Sequence, residues 1–492
     1  MPSVLRLVSA VCCFAFASVL IVPGCYSLRS SQGGGEVAVA GGKGSSAARS
    51  LEPGDVALPP GYRIEIVAAG LNMPSGVAFD SAGQVFVVES GYAYGETFDV
   101  PRVLALTPEG ERKVIASGAN PPWTGVAFQA GNLYVAEGGA KQPGRILRVS
   151  LSGEISVLVD DLPSGDHHTN GPVFGPDGKL YFAQGTMTNS GVVGVDNFEY
   201  GWLSRRRELH DIACQDVTLS GVNYTSADPL AGKDARAVTG AFVAFGTETK
   251  AGQQIKGRVP CSGAVLRMDP AGGALELVAW GFRNPFGMAF APDAQLYLTD
   301  NMYDERGSRP VYGAGDYLWH VQSGAWYGWP DYAGGRSLAM ERYAAPGGDE
   351  IAPLLAQAPG VPPRPAAELG VHSSSSGLDF SRNPAFGHVG EAFIAQFGDM
   401  APKVGKVLAP VGFKVVRVDR ESGVVHDFAT NRKEQGPASA QDGGGLERPI
   451  AVRFNPAGDA LYVVDFGVLA MSDRGPSVRK SSGALWRITR TP

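Results

Sequence analysis

"SGVAFDSAGQVFVVES", Ser75 to Ser90, is the stretch that decides the fold. Apolar residues alternate with small or polar ones up to Phe79, the pattern breaks at Ala82-Gly83, and it resumes as far as Glu89. Period-two alternation on both sides of a glycine turn predicts two antiparallel strands joined tightly. The phrase returns as "TGVAFQAGNLYVAEG" (124–138), "NGPVFGPDGKLYFAQG" (170–185) and "FGMAFAPDAQLYLTDN" (286–301). A looser copy is "SGLDFSRNPAFGHVGEAFIAQFG" (376–398), and the last is "IAVRFNPAGDALYVVDFG" (450–467).

A second phrase follows each copy: "RVLALTPEG", "GRILRVSLSG", "GAVLRMDPAG", "DYLWHVQSG", "GFKVVRVDRESG" and "GALWRITR". Two phrases per unit make about four short strands, one propeller blade. A single blade cannot cover its own faces, so blades stack around an axis and bury each other. The expectation is an all-β, six-bladed β-propeller. Long interruptions at 187–260, 302–370 and 399–447 are expected to build one face of it. The 67 glycines and 35 prolines suit such a turn-dense chain. A net charge of −6 with interspersed signs leaves no basic stripe for nucleic acid.

Three segments are expected. Residues 1–25 read as an export signal: Arg6, then the apolar "LVSAVCCFAFASVLIV", ending in the lipobox-like "IVPGC" with Cys25 as the lipidated residue. A plain secretory signal is the alternative. Residues 26–52 read as a flexible Gly/Ser/Ala linker, and 53–492 as the propeller domain. The expected location is therefore periplasmic or cell-surface, with the membrane reached only through the lipid anchor. Setting aside Cys12, Cys13 and Cys25 leaves Cys214 and Cys261, a candidate disulfide in an oxidising compartment, or else two buried thiols.

The repeat strands end in Glu89, Glu137, Gln184, Asp300 and Asp465, and the turns before them contain His167, Arg283 and Arg448. A propeller brings equivalent blade positions toward its axis, so these residues are site candidates. The competing reading is that strand-end acids satisfy turn amides. In "WGFRNPFGMAF" Arg283 lies among apolar residues and needs a partner or a ligand. "WYGWPDY" (326–332) offers aromatic faces for a ligand or for packing. The serines of "HSSSSG" (372–377) read as turn residues.

"DHHTNGPVFGPDGKLYF", "GFRNPFGMAF", "GAWYGWPDYAGG" and "APVGFKVVRVD", in that order, resemble the glucose/sorbosone dehydrogenase family. The likeness runs over nearly all of 53–492, with insertions nearer the sorbosone-type branch. That resemblance implies a six-bladed propeller using pyrroloquinoline quinone (PQQ) and calcium to oxidise a sugar or sugar aldehyde. It implies His167 as general base, which suits a proton-accepting role near neutral pH, with Asp166 beside it and His168 at a variable position. It implies Arg283 polarising the hydride-accepting carbonyl, Asn284 and Arg448 binding the cofactor, and calcium on the main-chain carbonyls of Met302 and Tyr303 with Asp300 or Asp304. Asp399 stands where soluble glucose dehydrogenases have a cofactor-binding lysine, which leaves Lys403 or Lys406 for that part. Ile450 replaces a second arginine. No CxxCH motif occurs, so electrons are expected to leave to a separate quinone or cytochrome. The competing functions are a calcium-dependent propeller lactonase, built on converging Glu89, Glu137, Asp300 and Asp465, and a non-catalytic carbohydrate-binding propeller.

Overall fold

Each copy of the opening phrase forms the two inner strands of one blade. The structure is a computed structural model that describes residues 49–491 apart from 94–96, 108–109, 233, 401–409, 434 and 473–474. Cys25, Lys403, Lys406, the proposed export signal and most of the proposed linker lie outside the described residues. Six antiparallel sheets, five of four strands and one of five, succeed one another along the chain. Their inner strands are Pro74–Phe79, Trp123–Gln129, Thr169–Phe174, Asn284–Phe290, Ser375–Phe380 and Pro449–Phe454. The second strands end at Glu89, Glu137, Gln184, Asn301, Gln396 and Asp465. Consecutive inner strands touch, and the last touches the first, so the ring closes.

Closure comes from the N-terminus. Tyr62–Leu71 is the outermost strand of the sixth blade, paired with Gly483–Arg490. A blade completed by both chain ends locks the ring noncovalently. Val56–Ala57 likewise extends the fifth blade by pairing with Thr430 and Asn431. The anchored chain starts earlier than residue 53. Arg49 forms an ion pair with Asp465 at 2.7 Å and donates to the Ser482 carbonyl at 3.0 Å, so residues 49–52 belong to the domain rather than to a tether.

The repeat also explains how blades pack. The aromatic residue of "G-x-[LVA]-[YF]" meets the phenylalanine of the next blade's phrase. Around the ring the pairs are Phe86–Phe128, Tyr134–Phe174, Tyr181–Phe290, Tyr297–Phe380, Phe393–Phe454 and Tyr462–Phe79, with centroids 4.8–5.8 Å apart. Such pairs add about 0.5–1.5 kcal/mol each beyond area burial. Near the axis glycines let backbones touch. A Cβ on Gly125 would stand 2.1 Å from the Gly171 carbonyl oxygen, and one on Gly287 2.3 Å from that of Ser376.

Antiparallel order sorts the connections by face. Turns entering an inner strand and loops after a second strand share one face, here the entry face. The insertion after Gln184, with two short helices at Val195–Glu199 and Trp202–Arg205, lies there. So do 302–314, 397–400, 410–413, 432–433 and 435–448. The insertion at 321–366 begins on the opposite face instead. It climbs the outside of blade 3, where Tyr327 N bonds Trp280 O and Trp329 N bonds Gly281 O, each at 2.8 Å. It then folds over the entry face, where Arg309 donates to the Pro330 carbonyl at 2.7 Å and to Asp331 at 2.8 Å. The disulfide Cys214–Cys261, Cα atoms 5.0 Å apart, pins the blade 3 insertion back to the strand it precedes.

Candidate active site

The turn before blade 3 holds the two histidines. His167 N bonds Thr186 O at 3.0 Å, and Gly185 N bonds His168 O at 3.0 Å, so the turn continues the sheet past its last formal strand pair. Gly185 is required for that approach: a Cβ there would fall 2.4 Å from His167 Cβ. Thr186 N in turn bonds Arg283 O at 2.9 Å. The backbone thus sets His167 of one blade beside Arg283 of the next.

Hydrogen bonding fixes the tautomer of His167. Its Nδ1 lies 3.0 Å from both Thr186 O and Thr186 Oγ1. A carbonyl only accepts, and the hydroxyl already donates to Thr188 O at 2.7 Å, so Nδ1 carries the proton. Nε2 is left with its lone pair, 3.7 Å from an Asp166 oxygen. Burial, then the Arg283 cation, pushes the imidazole down to about 3, so it is neutral across the physiological range. His168 is also buried but packs edge-on against Tyr92 at 5.5 Å, and its Nδ1 has no hydrogen-bond partner. Burial lowers it to about 4, and its surroundings mark it as a wall residue.

A network of charges from three connections surrounds His167. The Arg283 guanidinium donates to Asn189 Oδ1 at 2.7 Å, to Asp304 Oδ2 at 2.7 Å and to the Asn301 carbonyl at 3.0 Å. Arg306, 7 % exposed, bonds Asp304 at 3.0 Å, Asp196 at 2.8 Å and Asp166. It also lies 5.3 Å over the Tyr200 ring. Burial works to raise Asp166 and Asp304, but Arg306 and Arg283 respectively outweigh it and hold both below the usual carboxylate range. Asp196 goes the other way, because burial outweighs its contact with Arg306. His372, at φ +58°, bonds Glu305 at 2.8 Å. Despite burial, that partner lifts the imidazole to about 9, so it is a cation at neutral pH. Asp304, with about a third of its side chain exposed, is the open member among Arg283, Arg306 and His372.

The strand-end acids do not meet at the axis. They clip each second strand to the turn beside it. Glu89 accepts from Asn72 N at 2.7 Å, Glu137 from Trp123 Nε1 at 3.1 Å, and Asp465 from Glu447 N and Arg448 N, both at 2.9 Å. Gln184 accepts from Thr169 Oγ1 at 2.8 Å. Asp300 accepts from Asn284 N at 2.8 Å and Arg283 N at 3.2 Å, and burial raises it to about 7. Asp300 therefore aims Arg283 and Asn284. Among the described residues no three His, Cys, Asp or Glu side chains group as a metal site, which removes the carboxylate cage that the lactonase reading required.

Oxygen donors are instead concentrated in the turn after the blade 4 strand. Asn301 Oδ1 is buried and has no hydrogen-bond partner among the described residues. Neither the Met302 nor the Tyr303 carbonyl accepts a hydrogen bond among the described residues. Asp304 follows. Neutral and anionic oxygens of this kind suit a hard cation such as calcium.

Arg448 departs from its expected role. It is fully buried, and its guanidinium donates to the carbonyls of Gly398 at 3.1 Å, Asp399 at 3.2 Å and Leu469 at 3.2 Å, between Phe397 and Phe413. It builds the wall between blades 5 and 6 rather than offering a fork to a ligand carboxylate. Asp399 accepts from Val411 N at 2.8 Å in the same wall. Trp326 and Trp329 are buried, Trp326 Nε1 bonding Trp329 O at 3.0 Å, so the aromatic run is packing. Arg306, Asp196, Asn189 and the cationic His372 were not singled out from sequence. The only signal was the dense charge run "DERGSR" (304–309) directly after a repeat strand.

No protein-family model and no curated protein matches the chain. Solved structures do. A Trichoderma reesei carbohydrate-active enzyme of family AA12, in its calcium structure, is 14% identical, with 91% of this chain and 100% of that one covered at a TM-score of 0.53. The holo PQQ domain of pyranose dehydrogenase from Coprinopsis cinerea is 14% identical over 88% of this chain and 97% of that one, TM-score 0.52. The apo soluble aldose sugar dehydrogenase of Escherichia coli is 16% identical over 87% and 99%, TM-score 0.50. At these identities the likeness establishes the propeller fold.

Proposed function

We propose that this chain is a PQQ- and calcium-dependent oxidoreductase acting on a sugar or sugar aldehyde. The carrying observation is His167: a neutral imidazole whose Nδ1 proton is fixed on Thr186 and whose Nε2 lone pair stands beside ionised Asp166. Such a group takes a proton from a hydroxyl placed at Nε2. Asp166, held by Arg306, favours the imidazolium that forms. The propeller neighbours described as sugar dehydrogenases support the substrate class, and the sorbosone-type branch belongs to the same proposal.

The residues present fit the two cofactors together. Arg283, Arg306 and protonated His372 face Asp166, Asp196, Asp304 and Glu305, so the cluster by itself has no net positive charge. A divalent ion held by the Asn301–Asp304 oxygens would reverse that balance. Arg283 and Asn284 would then offer a cationic, hydrogen-bonding face to a carboxylate-rich quinone. When bound, the quinone supplies the acceptor for the hydride. The chain's own part is to orient the hydroxyl, hold the proton at His167 Nε2 and keep positive charge at Arg283. Export, lipid anchoring at Cys25 and a separate electron carrier complete the proposal.

The test is titration of metal-free protein with PQQ, with and without calcium, followed by an aldose and an artificial acceptor. Cofactor binding that requires calcium, with turnover lost in His167→Asn, supports the assignment. Absence of PQQ binding at saturating calcium refutes it.

A further inference from the structure

We propose that the face opposite the histidines carries a second small-molecule site, at the far mouth of the axial channel, that binds an aryl carboxylate. A cavity of about 250 Å³ opens there, walled by Phe79, Phe128, Phe174, Phe290 and Phe454, with Arg382 and Arg453 at its edge. That is just below the range of roughly 300–1,000 Å³ typical of drug-sized ligands, so the occupant is smaller. Toward the entry face a separate, smaller cavity of about 60 Å³ lies at the glycine collar of Gly76, Gly125, Gly171, Gly287 and Gly377. The close backbone contacts at that collar separate the cavity from the histidine site.

The charge at this mouth breaks the repeat. The position before the phrase's phenylalanine is Ala78, Ala127, Val173 and Ala289 in the first four blades, but Asp379 and Arg453 in the last two. If the two only neutralised each other, they would be in hydrogen-bond contact. They are 3.9 Å apart. Asp379 spends its oxygens elsewhere, accepting from Phe380 N at 2.8 Å, Arg382 at 3.0 Å and Phe454 N at 2.9 Å. The Arg453 side chain is about a quarter exposed, and its guanidinium makes no hydrogen bond among the described residues. The mouth thus holds two guanidiniums against one carboxylate, one excess positive charge with a planar donor fork facing an aromatic wall. A carboxylate on Arg453 supplies the missing acceptor, and an aryl ring fills the phenylalanine ring.

The test uses the whole protein with phenylacetate, its neutral isostere phenylacetamide, and the variants Arg453→Met and Ala127→Leu. Binding is read by calorimetry and ligand-observed NMR, and folding by thermal midpoint. Expected are saturable one-to-one binding of phenylacetate, at least tenfold weaker binding of the amide and to Arg453→Met, and loss on filling the cavity with Ala127→Leu. A tenfold change corresponds to about 1.4 kcal/mol. No saturable binding to wild type, equal binding of acid and amide, or undiminished binding to folded Arg453→Met overturns the proposal.

Discussion

His167→Asn tests the electrostatics of the site without any cofactor. The asparagine amide keeps a donor for Thr186 O but cannot be protonated. In the folded protein the imidazole is pushed down to about 3, against about 6.5 in an unfolded chain. Between those values the unfolded state binds a proton that the native state refuses, so acidification destabilises the native fold. At pH 7.5 the effect is under about 0.1 kcal/mol. At pH 4.5 the unfolded imidazole is almost fully protonated and the native one almost not at all, a difference of about 3 kcal/mol. Wild type should therefore lose about 3 kcal/mol more than His167→Asn between pH 7.5 and 4.5, measured by urea unfolding of both proteins at each pH. His168 and the carboxylates titrate in both proteins and cancel in the comparison. A pH dependence that is the same in the two proteins to within about 0.5 kcal/mol would show that His167 titrates normally, and would refute the buried neutral base.

Three further outcomes are expected. Replacing both Cys214 and Cys261 by alanine opens a loop of 47-residue separation and should cost about 4 kcal/mol on the chain-entropy model, read by chemical denaturation without reductant. Arg306→Met leaves Asp166, Asp196 and Asp304 without their shared cation and should destabilise by about 3–5 kcal/mol at neutral pH, with partial recovery in acid as the carboxylates protonate. Asp465→Asn removes the charge that takes Glu447 N, Arg448 N and Arg49, and should lower stability by about 2 kcal/mol and speed proteolysis near residue 49.

The fold was legible because each blade repeats one packing problem. The phrase "G-V-x-F…G-x-L-Y" encodes a strand, a turn, a second strand and the aromatic pair that joins one blade to the next. The N-terminal strand was not legible as the closing element, because "YRIEIVAAGL" carries no part of either phrase and its partner lies more than 400 positions away. The site was legible only where residues sit on the repeat. His167 and Arg283 lie at turns entering inner strands, so the ring brings them together. Arg306, Asp196 and His372 come from connections with no repeat to align against, and their meeting depends on how those insertions fold. The strand-end acids misled for a related reason. They recur as regularly as site residues would, but the regular need they answer is capping the backbone of each blade.

The same geometry explains why one scaffold can hold a reactive constellation without weakening. Five clips and six aromatic pairs carry the ring, and neither His167 nor Asp304 takes part in them. The turn before blade 3 carries His167-His168 where the first two blades have Asn72-Met73 and Pro121-Pro122, without altering the strands that follow. What the scaffold does contribute is register: the Thr186 N to Arg283 O bond couples the two blades at the point where His167 and Arg283 stand side by side. A ligand entering between them meets groups already desolvated and oriented, with Asp304 as the exposed carboxylate it must share or displace. Under the proposed function, control of binding would fall on the charge at the Asn301–Asp304 turn, and a divalent cation held there would decide whether an anionic cofactor is accepted.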